Sequence, residues 1–456
     1  MHTRSQQTTS LSLRVAVAAM LAIAAAAPAA AQSAKEAELE ARIAELERLV
    51  RQLSAEKTAA APGAGAAPAT APAAAPAKPA AKPIQPDAIT PNASPGTSFL
   101  FTGFAKTDGL WTDTPDGELV ENSASRDFYV PGAIPIGGVD EGVDFDAHAK
   151  QTRLILGTDT VLEGGDKIMT RFEIDFFGSA SGNQRVSNTY SPVLRHAFVQ
   201  WRSWLVGQTW TNFQDVATLP EAVDFIGPTD GTVFVRQPQV RYTKGGLSLS
   251  AENPETTLAL YRSATAANLS SDDSSLPDLT ARYTWKGKWG HVSAAGLLRE
   301  LQYEGTTAGV FYDDSTWTGA LSLSGKFMLG KDDIRWMANY GNLGRYVALN
   351  FAQDAVLDGQ GGLDSIDGYS GFVAYRHLWT DRLRSSIFYA LQGYDNDQSL
   401  TGTAVNESST SWAVNLIYSP LPKLDIGGEY RHASRDLEGG ADGSLDRVQI
   451  MTKYSF

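Results

Sequence analysis

Between residues 98 and 456 the chain keeps returning to a period of two, and this alternation constrains its fold more than any other feature. In KIMTRFEIDFF (167–177), Arg171, Glu173 and Asp175 share one parity while Phe172, Ile174 and Phe176 share the other. Such spacing puts the charged groups on one face of a strand and the rings on the opposite face. The pattern recurs in 193–209, 232–243, 247–254 and 411–420. The connections alternate too. Long acidic stretches (DGELVENSASRD, GGVDEGVDFD, DAVLDGQGGLDSID, LEGGADGSLD) interleave with tight ones (EGGD, YTKGG, WKGKWG, LGKDD, WTDRL, SPLPKL). Short turns on one rim, long loops on the other and two-faced strands predict an all-β fold, a transmembrane antiparallel β-barrel. About 360 residues, at roughly 22 per strand with its connection, accommodate about sixteen strands, a size that leaves an aqueous channel.

The terminal stretch DRVQIMTKYSF carries Val448, Ile450, Tyr454 and Phe456 on one parity and Gln449, Lys453 and Ser455 on the other, which Met451 interrupts. This predicts a closing strand that pairs with the first, near Phe99 to Trp111, and sets its last ring at the membrane interface. Trp and Tyr beside the tight turns (Tyr283, Trp285, Trp289, Tyr375, Trp379) fit an aromatic girdle. A soluble all-β domain is the alternative that these features disfavour together.

Upstream, the residues supply an address. Arg4 and Arg14 precede the apolar run 15–27, and small residues at Ala29 and Ala31 predict a secretory signal over 1–31, cleaved before Gln32. A retained membrane anchor is the alternative, disfavoured by the shortness of the run. Within 33–57, Leu39, Ile43, Leu46, Val50 and Leu53 step by four and three, a heptad seam that fits a short coiled coil in the periplasm. One amphipathic helix resting on another surface would give the same spacing. Residues 58–97 are rich in Ala and Pro and predict an extended linker without a core. The barrel then occupies 98–456.

Composition removes several classes of function. With 38 Lys and Arg against 51 Asp and Glu the net charge is −13, and a nucleic-acid partner would want a basic face. There is no cysteine, hence no disulfide framework and no thiolate metal site. The histidines are scattered, with no metal-ligand spacing and no phosphate loop, so neither a cofactor nor catalysis is expected. Acidic runs such as 271–275 and 312–315 suit a solvated outer rim, which would repel anions at the mouth.

The motifs FTGFAKTDG (101–109), QTRLILGT (151–158), RFEIDFFG (171–178), LRHAFVQWRSWLVGQTW (194–210), LPEAVDF (219–225) and RQPQVRYT (236–243) resemble those of the DcaP-like trimeric porins of Gram-negative outer membranes. The likeness spans nearly the whole chain and is strongest over 101–243. It implies a sixteen-stranded homotrimeric porin that passes small anionic solutes, dicarboxylates among them. It also implies that the N-terminal coil is periplasmic; outer-membrane lipid and lipopolysaccharide are the expected surroundings, and the coil and spacer are long enough to reach the peptidoglycan. An adhesive or structural tether with a plugged barrel is the alternative from a different class.

A pore selects by its width and by the charges on its wall, and arginine grips carboxylates without losing its charge. Arg153, Arg171, Arg195, Arg236 and Arg241 lie within predicted strands or at their ends. Arg171 points inward by alternation, and Arg241 shares a face with Gln237 and Gln239. Parity leaves Arg153 and Arg195 undecided. Each of the five could instead pair with a neighbouring lumen carboxylate, Arg171 with Glu173 or Asp175. The stretch 211–231 is too apolar and irregular for an outside loop. If it folds into the lumen, Asp215, Glu221 and Asp224 are expected to face the arginines; a structured outer loop or a subunit contact is the other reading.

Overall fold

A computed structural model describes residues 96–178, 182–185, 187–265 and 267–456. The expected signal, coil and nearly all of the linker lie outside these residues. Seventeen hydrogen-bonded runs form one antiparallel sheet. They make sixteen strands, because Asp144–His148 and Arg153–Val161 both pair with the first strand and are two halves of the second. In chain order the strands are β1 (Thr97–Asp113), β2 (those two halves), β3 (Lys167–Asp175), β4 (Val193–Trp201) and β5 (Trp204–Trp210). Next come β6 (Arg236–Lys244), β7 (Leu247–Glu252), β8 (Asp278–Gly287), β9 (Gly290–Thr307), β10 (Val310–Leu329) and β11 (Asp332–Gly341). The last five are β12 (Gly368–Leu378), β13 (Leu383–Tyr394), β14 (Asn406–Leu421), β15 (Leu424–Leu437) and β16 (Asp442–Ser455).

The sheet closes on itself through β1 and β16, with Ala105 opposite Tyr454 and Trp111 opposite Val448. Val448, Ile450 and Tyr454 point outward and are about half exposed, while Arg447, Gln449 and Met451 are buried inside. Phe456 donates its amide to the Gly103 carbonyl at 3.0 Å and lays its ring 5.6 Å from that of Phe101. Met451, which breaks the polar parity, packs inside the barrel against Val223 and Ile417.

Three connections differ from the sequence reading. The expected long loop at 437–446 is a tight hairpin between Leu437 and Asp442. The acidic stretch 312–315 lies within β10, and the single segment read over 193–209 is two strands joined at Arg202 and Ser203. Arg202 takes φ +52°, so the chain reverses there without a glycine. Strands β9 and β10 run for 18 and 20 residues, against 7 in β5 and 6 in β7. Their upper parts are steadied by a four-stranded sheet made from the loops 253–277 and 342–367, packed on Leu301, Tyr303 and Tyr312.

Candidate functional site: a segment nailed inside the barrel

Residues 211–235 leave β5 and run inside the barrel before returning to β6. Local chemistry keeps them from forming strand. The Asp215 carboxylate caps a short 3₁₀ turn by accepting from the Ala217 amide at 3.1 Å. Pro220 and Pro228 offer no amide to a ladder. Asp224 accepts from the Ile226 amide at 3.1 Å, and Gly227 turns the chain at φ +89°. Gly231 passes so close to β12 that a Cβ there would stand 2.2 Å from the Gly371 carbonyl carbon.

The wall holds this segment by its carbonyl oxygens. Gln214, Leu219, Val223 and Gly227 each accept from a wall cation, Arg282, Arg335, Lys106 and Arg431 respectively, and Arg241 holds the Trp210 carbonyl at the end of β5, where the segment departs. The Lys106 and Arg431 bonds measure 2.7 and 2.8 Å. Side chains add to the grip. Val223, 0 % exposed, donates its amide to Glu429 at 2.8 Å. Asp230 accepts from Tyr129, Ser409 and Ser411, so the first long loop is tied to the same segment. Burial pushes the Asp230 carboxyl above its ordinary range, against the pull of those three hydroxyls and Arg431. Charge-assisted bonds in a low dielectric are stronger than neutral ones, so this many fix the segment as part of the wall.

Of the eight candidate residues, the structure brings Arg153, Arg195 and Arg236 together. Arg195 sits on a bulge, for Glu173 faces His196 and Ile174 faces Leu194. The extra residue re-aims its side chain inward, which alternation alone does not reveal. Arg195 is 2 % exposed and meets Glu173 at 2.9 Å and Asp175 at 2.6 Å. Arg153 meets the same pair at 3.2 and 3.3 Å. Arg236 has no carboxylate within ion-pair distance among the described residues; it stacks on Trp210 and Phe234 at 4.8 and 5.7 Å. Arg171 does point inward, but its partner is Asp159 at 3.0 Å, neither Glu173 nor Asp175. Arg241 shares its face with Gln239, to which it donates at 2.8 Å.

The acidic trio lies inside the barrel but does not meet these five arginines. Asp215 pairs with His291 at 2.7 Å, Glu221 with Arg384 at 2.6 Å, and Asp224 lies 3.9 Å from Arg431. The reason is geometric: the carboxylates of the segment lie against β9, β13 and β15, while toward β4 it presents Phe225, whose ring lies 5.2 Å from the Arg195 guanidinium. The sequence reading therefore missed the cations that matter to it. Arg282, Lys326, Arg335, Arg376, Arg384 and Lys453 line β8, β10, β11, β12, β13 and β16, with Arg241 on β6 continuing the arc. Five carboxylates stand among these seven cations: Asp215, Glu221, Glu252, Asp333 and Asp425. Asp333 is shared by Arg335 at 2.6 Å, Arg376 at 2.7 Å and Lys326 at 3.5 Å. Asp425 is shared by Arg384 at 3.0 Å and Lys453 at 3.2 Å. Neither Arg241 nor Arg282 has a carboxylate within ion-pair distance among the described residues. An inward parity next to a tight turn was the available signal, but apolar neighbours in sequence obscured it.

A closed barrel with an apolar outer face, a charged interior and a segment folded into that interior defines an outer-membrane channel. The profile of the DcaP outer membrane protein family matches residues 132–456, and the chain belongs to that family. The outer membrane channel DcaP of Acinetobacter baumannii is similar at 25 % identity and a TM-score of 0.63, over 80 % of this chain and 99 % of that one. An anion-selective porin from Comamonas acidovorans is 11 % identical, with a TM-score of 0.48, over 79 % and 100 % of the two chains. OmpT of Vibrio cholerae is 12 % identical, with a TM-score of 0.46, over 80 % and 99 %. No curated protein sequence matches the chain.

Proposed function

We propose that this channel passes small organic anions, dicarboxylates among them, by passive diffusion. The observation that carries the reading is the arc of seven cations around the lumen, in which a single carboxylate, Asp333, serves three of them. A cation excess in a confined lumen raises the local concentration of anions and lowers that of cations. Guanidinium groups suit the task because their planar forks match carboxylate oxygens. The acidic outer loops oppose entry at the mouth, so selection belongs to the arc. Arg153, Arg171, Arg195 and Arg236 contribute the field of the β2–β6 wall, and Asp215, Glu221 and Asp224 hold the segment that narrows the passage. Assembly as a homotrimer and a periplasmic N-terminal coil near the peptidoglycan belong to the same reading.

Proteoliposomes containing the purified chain test this with succinate and lysine, solutes of similar size and opposite charge. Succinate efflux is expected to be faster. The reverse order would remove the anion preference and leave a channel of another selectivity.

A further inference from the structure

The rim of short turns carries a charged surface that the channel reading does not use. On three neighbouring turns, between β4 and β5, β6 and β7, and β8 and β9, stand Arg202, Lys244, Lys286 and Lys288, all exposed. Lys331 continues the row on the turn after β10. Arg202 pairs with Asp166 at 2.6 Å and Lys331 with Asp381 at 3.6 Å. Lys244, Lys286 and Lys288 have no ion-pair partner among the described residues, and 242–247 and 283–291 contain no acidic residue.

The same turns carry exposed aromatic rings. Trp201 and Trp204 flank Arg202, whose guanidinium lies 4.8 Å from the Trp201 ring. Trp204 packs at a tilt on Tyr242 at 4.9 Å and Tyr283 on Trp285 at 4.7 Å, and Trp289 lies 5.7 Å from Phe327. Exposed Trp and Tyr mark the level where hydrocarbon gives way to headgroups. Short turns face the periplasm in barrels of this kind, so the headgroups at this level belong to the inner leaflet. Lys244 and Lys288 hang one or two residues beyond the rings, at the depth of lipid phosphates, whereas Lys286 shares the lumen-facing parity of Arg282 and stands opposite His291.

We infer that the turns of β6–β9 form a docking surface for anionic phospholipid of the inner leaflet, with Lys244 and Lys288 on the phosphate and the Trp285, Trp289 and Tyr283 rings on the glycerol and upper acyl region. A head carrying a phosphate and no amine fits two ammonium groups with no carboxylate among them. A zwitterionic head would bring an amine into the same cationic field. An ammonium near an anionic lipid surface is worth roughly five-fold in affinity.

The full chain, folded in detergent and equilibrated with equal phosphatidylglycerol and phosphatidylethanolamine, is extracted and its retained lipid quantified. Phosphatidylglycerol is expected to be enriched over the bulk mixture, and the enrichment to fall in molar salt, where the Debye length shrinks to about 3 Å. The K244Q/K288Q variant is expected to lose at least about ten-fold of the retained phosphatidylglycerol-to-phosphatidylethanolamine ratio, whereas K167Q/K423Q on other turns keeps it. Heat-shifted gel mobility reports that each variant is folded. Retention by the wild type in the bulk proportion would overturn the inference without any variant, and so would an unchanged ratio in the folded double variant. Neither outcome depends on which solute the channel passes.

Discussion

Replacing Lys326 and Arg376 together by glutamine probes the cation arc without touching what holds the inner segment. Neither side chain bonds to residues 211–235, and Asp333 keeps Arg335 at 2.6 Å after both are gone. Two positive charges leave the lumen while the fold retains its anchors. A unit charge about 7 Å from a passing ion in a water-like dielectric is worth about 0.6 kcal/mol. Losing two therefore costs an anion about 1.2 kcal/mol and relieves a cation by as much, so the anion-to-cation permeability ratio should fall by about fifty-fold. Screening shortens the reach of the charges, so the effect should be largest near 0.1 M salt and shrink toward 1 M. The assay is the reversal potential of wild type and K326Q/R376Q across a salt gradient, with single-channel conductance confirming an intact pore. A ratio that is unchanged, or that moves toward anions, would refute the reasoning.

Other outcomes follow from named contacts. Val223→Asp places a carboxylate beside Glu429 at a position with no solvent access, so the segment should leave the wall and single-channel conductance rise; wild-type conductance would contradict its role as a constriction. Arg431→Met strips a buried cation from Glu429, Asp224 and Tyr129 and should cost about 3–5 kcal/mol, read as a lower heat-modification temperature. Gly231→Ala drives a methyl into the Gly371 backbone and should likewise lower that temperature, whereas Gly440→Ala, on an open hairpin, should cost less despite its φ of +76°.

The barrel was legible because its signal is repeated. Period two, alternate loop lengths and rings beside turns each recur around the sheet, and a misread connection such as 437–446 changes one loop without changing the architecture. The closing strand was legible down to Phe456 because all its outward residues share one parity. The site was less legible because it depends on where distant strands place single side chains. Arg195 points inward only through a bulge, which no residue type announces. The course of 211–235 could be suspected from its composition, yet the partners of Asp215, Glu221 and Asp224 come from β9, β13 and β15, and the chain holds no local record of that pairing. Lys326, Arg335 and Arg376 were overlooked for a related reason: each lies near a tight turn, and only the register across β10, β11 and β12 gathers them at Asp333.

The proposed anion preference rests on a cation-lined lumen. The most direct test is the reversal potential of the purified wild-type protein in a planar bilayer across a salt gradient. Stepwise conductance with anion preference is the result expected. Steps with cation preference would contradict the assignment of selectivity to the arc, and a bilayer that stays silent would contradict an open lumen and favour a plugged barrel that serves as a tether.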